Sequence, residues 1–224
     1  MRPRQQVVAT IAVSLAVTIA PAAAADGSAV LGGGAGITVN GTFCTLATIG
    51  HDNTGELVGF TAASCGGPGS QVEAAGSGTL VGSVVAADDH LNYAVIKFDP
   101  AKVTPTANFA GFAINGVGPD PDFRQPACTD GAATGNQCGV ITTMPGPGPA
   151  RNMSRCSFQP GDEGRPVTSD NLLIGIARNG WAALDVGPLH YGQTPESFLI
   201  LSSAIMNDVN AKGGPGAGFT PVPG

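Results

Sequence analysis

The apolar residues fall in short runs, at residues 43–49, 57–62, 80–86, 93–98, 140–144 and 172–177. These runs are rich in Val, Ile and Thr and bounded by Gly, Asn, Asp or Pro, and none is long enough to stand as a buried helix. Short β-branched runs cut by turn formers predict strands, and this many of them predict an all-β chain of sandwich or barrel type. The punctuation is dense, with 34 Gly and 18 Pro in 224 residues. One helix is predicted near the end. Thr194 suits an N-cap, Pro195 the first helical position and Glu196 the positive helix start. Phe198, Leu199, Leu201, Ile205, Met206 and Val209 then give an apolar face out to Asn210.

Between the strand runs, residues 99–123 are loose and carry Pro100, Pro105, Gly116, Pro119 and Pro121. They read as the connection between two halves, residues 26–108 and 109–210. Residues 145–149 read as an exposed loop. Residues 211–224, which include Gly213-Gly214-Pro215-Gly216-Ala217-Gly218, read as a disordered tail.

The first 25 residues stand apart. Arg2 and Arg4 precede an apolar run at residues 7–19, and Ala23-Ala24-Ala25 follow it. That is the pattern of a cleaved signal peptide, and the run is short for a bilayer span. No later segment is apolar for long enough to span a membrane, so the exported chain is expected to be soluble, secreted to the exterior or the cell envelope. Its 16 acidic residues outnumber the 10 basic ones, two of which leave with the signal peptide. With no basic run, nucleic acid and anionic membranes are poor partners.

Three short blocks carry the chemistry. Thr61-Ala62-Ala63-Ser64-Cys65, then Asn92-Tyr93-Ala94-Val95-Ile96, then Gly161-Asp162-Glu163-Gly164-Arg165-Pro166-Val167 occur in that order. They resemble the active-site blocks of chymotrypsin-type serine peptidases: Thr-Ala-Ala-His-Cys, Asp-Tyr-Ala-Val-Ile and Gly-Asp-Ser-Gly-Gly-Pro-Val. Each block departs at its reactive position, with Ser64 for histidine, Asn92 for aspartate and Glu163 for serine. The segment from Cys128 to Cys138-Gly139 resembles a loop of secreted bacterial streptogrisin-like peptidases. The resemblance covers residues 37–210. It implies two packed six-stranded antiparallel β-barrels with a C-terminal α-helix.

Five cysteines in an exported chain imply disulfides and leave one thiol over. Cys44 and Cys65 bracket two apolar runs joined by Asp52-Asn53-Thr54-Gly55, a hairpin whose ends lie side by side, and the resemblance implies a bridge there. Cys128 and Cys138 close a second hairpin-sized loop, and the same resemblance pairs them. Cys156 is left as an unbridged thiol, with a structural or redox envelope role as one alternative.

The resemblance also assigns the triad positions to Ser64, Asn92 and Glu163 and the oxyanion-hole N–H groups to Gly161 and Glu163. Serine-peptidase chemistry needs a hydroxyl nucleophile, an imidazole and an orienting carboxylate. Ser64 is no base at neutral pH, Asn92 carries no charge, and an ionised Glu163 opposes an oxyanion or fills its hole. The expectation is therefore an inactive peptidase homologue, not an enzyme. It is expected to act as a monomer by binding a protein or an extended peptide in its inter-barrel cleft. The alternative is an active secreted endopeptidase with a rearranged site. Ser64 and Asn92 are expected to donate hydrogen bonds to the Glu163 carboxylate, and Arg165 to pair with it. Asp162 needs a partner that the sequence does not name. Residues 175–187 are the expected pocket wall, with Trp181 as a plug. His51, His90 and His190 are dispersed, so no metal site and no cofactor are expected.

Overall fold

In the computed structural model, residues 27–143, 146–186 and 189–224 are described, with residues 179–197 described for their backbone only. The signal-peptide segment, the Trp181 plug and the His190 side chain lie outside the described residues. The first half contributes β1 Ala29–Leu31, β2 Gly36–Val39, β3 Thr42–Thr45, β4 Thr48–His51, β5 Leu57–Thr61, β6 Gln71–Ala74, β7 Thr79–Asp88, β8 Tyr93–Phe98 and β9 Val103–Pro105. The connection holds β10 Asn108–Phe109, β11 Phe112–Ala113 and β12 Gly116–Val117. The second half contributes β13 Pro126–Gly131, β14 Gly135–Val140, β15 Ala150–Met153, β16 Pro166–Ser169, β17 Leu172–Val186 and β18 Leu189–Leu201. Helix α1, Ser202–Lys212, and a last strand, β19 Thr220–Pro221, close the chain.

Two curled sheets result. One runs β19-β4-β5-β8-β7-β6-β2-β3, and the other β14-β13-β16-β17-β18-β15 with β12 alongside β17. An Ile141–Met153 bridge joins the ends of the second sheet. Both exceed the expected six strands. They are antiparallel except where β12 joins β17; the small β1–β9 pair is parallel too. Each barrel has its own core: Ile37, Leu46, Val81, Ile96 and Phe98 in the first, Ile141, Val167, Ile174 and Leu199 in the second. A third cluster joins them. Phe60, Tyr93 and Val95 of the first half meet Ile176 and Ile200 of the second, with Ile205 and Val209 of α1 and Phe219 beyond it. This shared apolar layer sets the two barrels against each other.

Two sequence expectations are corrected. The helix starts at Ser202, not at Thr194, because residues 194–201 belong to β18. Ala150–Met153 pair with residues 197–200 on one side and β17 pairs on the other, so two ladders of backbone hydrogen bonds outweigh a local capping signal. The tail is ordered. Thr220 and Pro221 pair with His51 and Gly50, and Ala217, Phe219 and Val222 are buried. The Phe219 ring meets Phe60 edge-on, with centroids 5.0 Å apart. Gly50 permits this crossing, since a Cβ there would stand 2.7 Å from the Pro221 Cα. Glycine-rich composition suggested disorder, yet three apolar side chains with a groove to fill offset the lost chain entropy.

Candidate active-site cleft

Residues from both barrels meet at one open cavity of about 600 Å³. Ser64 reaches it from a 3-10 turn, Ala63–Cys65, which the Cys44–Cys65 disulfide anchors to β3. Asn92 reaches it from the turn between β7 and β8, with its backbone in the left-handed region at φ 48°. Asparagine tolerates that region better than most side chains. Glu163 comes from the turn that leads into β16, in the other half. The three positions matched to the triad thus share one cavity, together with Phe43, Asp89, Gly161 and Arg178.

The hydrogen bonds differ from those expected. The Asn92 Oδ1 accepts the Ser64 backbone N–H at 3.1 Å. The Glu163 Oε2 accepts the Gly161 backbone N–H at 2.8 Å. The carboxylate therefore occupies one of the two N–H groups that the resemblance assigned to the oxyanion hole. Neither Ser64 nor Asn92 donates to it among the described residues. A backbone N–H two residues away in the same turn reaches it with less ordering than side chains across the cleft.

Among the described residues Arg165 makes no hydrogen bond to Glu163; it turns inward, where it answers the open question of Asp162. Its Nη1 lies 3.6 Å from the Asp162 Oδ2, and both side chains are 0% exposed. Nη1 also donates to the Ser157 carbonyl at 2.8 Å and to Thr134 Oγ1, and the guanidinium stacks on Phe158. Burial pulls the Arg165 pKa down while Asp162 holds it up. Asp162 Oδ1 accepts the N–H groups of Ala133 and Thr134, and Oδ2 that of Gln159. One carboxylate thereby fixes the β13–β14 turn and the segment leading to Gly161. Next to it, burial and the Asp162 charge push the Asp130 pKa up.

Thr45, which no sequence motif singles out, locks this turn to the first barrel. Its Oγ1 donates to the Gly161 carbonyl at 2.7 Å and accepts the Ala132 N–H at 2.9 Å, and its N–H donates to the Glu163 carbonyl at 2.9 Å. Thr61 Oγ1 in turn donates to the Thr45 carbonyl. Gly164 allows the close approach: its φ is 86°, and a Cβ there would lie 2.7 Å from the Thr45 carbonyl. Arg178, on β17, is the second residue missed. A lone arginine in an apolar strand run was the available signal.

Cys128 and Cys138 are bridged across β13 and β14, where they stand opposite each other. Cys156 lies outside both bridges and is half-buried. Its Sγ donates to the Ser154 carbonyl at 3.6 Å, and burial pushes its pKa up. His51 and His90 are exposed, and neither lines the cleft. Chemically, the cleft offers an exposed hydroxyl, a carboxylate seated on a backbone donor, a guanidinium and the exposed ring of Phe43.

No protein-family model matches the chain, and no curated protein matches it significantly. Solved structures do. Protease A of Thermobifida fusca aligns with 17% identity and a TM-score of 0.65, over 88% of this chain and 100% of that one. The Nocardiopsis protease aligns with 20% identity and a TM-score of 0.62, over 81% and 97%. The Cellulomonas bogoriensis chymotrypsin aligns with 20% identity and a TM-score of 0.58, over 81% and 96%. At such identities the likeness is one of fold: the chain has the chymotrypsin-like double barrel of bacterial serine proteases. These neighbours overturn the expectation that the chain is not an enzyme. The three structures named here, which share its architecture, are proteases by name. Substitution at three positions does not alone set what a cleft can do, because backbone donors and residues elsewhere also shape a site.

Proposed function

We propose that the cleft between the barrels binds an extended segment of peptide or protein, outside the cytoplasm. The observation that carries this is the cavity itself, which is open, is walled by both barrels and combines an exposed Phe43 with backbone and charged groups suited to a polypeptide. Two disulfides support an oxidising compartment, as does the N-terminal apolar run. The test is titration of the purified protein with a library of acetylated decapeptides, comparing wild type with Ser64→Trp. Ser64 is exposed, so the bulky ring fills the cleft without disturbing the core. Binding that disappears in the variant supports the proposal. Equal binding by the variant, or no binding at about 1 mM peptide, refutes it.

A second reading is hydrolysis by a rearranged site, favoured by the protease neighbours. Here Ser64 supplies the hydroxyl and Glu163 the proton acceptor across the same cavity. Mass spectrometry of the recovered decapeptides reads this directly. Fragments that Ser64→Ala and Glu163→Gln abolish support it, and intact peptides after prolonged incubation count against it.

A further inference from the structure

A second pocket, of about 650 Å³, lies on the second barrel alone and shares no lining residue with the cleft. Its walls include Phe123, Arg124, Val140, Ile141, Ser154 and Arg155. It sits at the seam where the second barrel closes through the Ile141–Met153 bridge. There the chain approaches so closely that Gly139 has no room for a side chain beside the Ser154 carbonyl.

The distribution of positive charge makes this pocket unusual. Lys97 pairs with Glu56, Lys102 with Asp99, and Lys212 with Asp88 and Asp208. Arg165 faces Asp162, Arg151 donates to the carbonyls of Gly146, Gly148 and Ala150, and Arg178 shares the cleft with Asp89 and Glu163. Arg124 and Arg155 are the remaining cations among the described residues. Both line this one pocket, and no carboxylate lines it. Both also hold the left-handed backbone conformation, at φ 67° and 61°. That conformation disfavours a long side chain and is uncommon outside glycine and asparagine. Two arginines held so, at one pocket, in a chain of formal net charge −6, point to an anion as the occupant. The apolar wall narrows the choice. Phe123 is 46% exposed, and Val140 lines the same pocket. A bare inorganic anion leaves that surface uncovered, whereas an acidic peptide covers it with a neighbouring side chain.

We propose that this pocket is a second binding site, for an acidic peptide segment whose carboxylate is held by Arg124 and Arg155 while an adjacent apolar side chain packs on Phe123 and Val140. In the cleft reading it gives a partner a second point of attachment, but it stands without that reading.

The experiment is calorimetric titration of the purified protein with the acetylated, amidated tripeptide Glu-Phe-Glu, with Gln-Phe-Gln and inorganic phosphate as parallel probes. The expected result is that Glu-Phe-Glu binds, that Gln-Phe-Gln binds at least about tenfold more weakly, and that added salt weakens the former. Arg124→Gln and Arg155→Gln each lower affinity about fivefold or more, and the double variant loses it. Ser64→Trp, which fills the cleft, leaves it unchanged, so failure here and failure of the cleft proposal are told apart. Arg124→Gly and Arg155→Gly suit the left-handed backbone and should keep or raise the melting temperature while losing the peptide. Unchanged affinity in the double variant overturns the proposal. So does equal binding of Gln-Phe-Gln, or displacement by phosphate at the same affinity, which marks an adventitious anion site.

Discussion

Asp162 and Arg165 form an ion pair sealed from solvent, 3.6 Å apart, in the turn that presents Gly161 and Glu163 to the cleft. The pair links positions three residues apart, and the N–H groups on Asp162 extend its hold to residues 133, 134 and 159. Removing one member strands the other without its countercharge. Arg165→Ala should therefore destabilise the fold by about 3–5 kcal/mol, read by urea denaturation. A loss under about 1 kcal/mol would show that the carboxylate is satisfied by its N–H donors alone.

Glu163 occupies the Gly161 N–H. A peptide carbonyl that uses this donor must first displace a carboxylate. Glu163→Ala should leave stability nearly unchanged and tighten decapeptide binding about tenfold, the scale of one charge-assisted hydrogen bond. The amide of Gly161 should shift in the NMR spectrum of the variant. Weaker binding in Glu163→Ala would instead mark the carboxylate as a peptide ligand.

Thr45→Val keeps the shape of the buried side chain and deletes its hydroxyl. The Ala132 N–H and the Gly161 carbonyl both lose a partner there. The expected loss is about 2–3 kcal/mol, with faster hydrogen exchange at Ala132. An unchanged denaturation midpoint would remove Thr45 from its role as the lock between the halves.

Phe219 packs against Phe60 in the layer shared by both barrels. Phe219→Ala should cost about 3 kcal/mol, and deletion of residues 213–224 at least as much. Thermal melts compare the two. A tail that contributes nothing would give melts superimposed on wild type.

Lys212, on α1, binds Asp88 and Asp208, while the Tyr93 hydroxyl donates to Asp208. Burial, then the Asp208 bond, push the Tyr93 pKa up to about 12, and the Asp208 and Asp88 hydrogen bonds raise that of Lys212. Both groups hold protons more tightly when folded. Their contribution is complete below their ordinary values of 10.0 and 10.5 and fades as pH rises through the folded ones. The Lys212 bond lowers the pKa of Asp208 and of Asp88, so their contribution is present above 3.8 and fades as pH falls below it. Lys212→Ala should cost about 1 kcal/mol at pH 7, given its exposure. The gap to wild type should close at both pH extremes, as followed by melts across the range. A gap independent of pH would assign the effect to packing.

The sequence by itself determined the all-β character, the order of the three active-site-like blocks and the residue types at their reactive positions. Short β-branched runs and turn formers act locally, so their meaning survives without coordinates. Cys44 with Cys65, at the ends of a legible hairpin, belongs to the same class. Only the tertiary structure decided where Glu163 and Arg165 point, because hydrogen-bond partners depend on which backbone groups and charges are within reach after folding. It also decided the fate of residues 194–201 and of the tail. There local capping and glycine content gave way to ladder pairing and to apolar burial against strands more than a hundred residues earlier. Thr45 and the pairing of Arg124 with Arg155 in one pocket were invisible for the same reason: a contact between distant segments leaves no pattern in either of them.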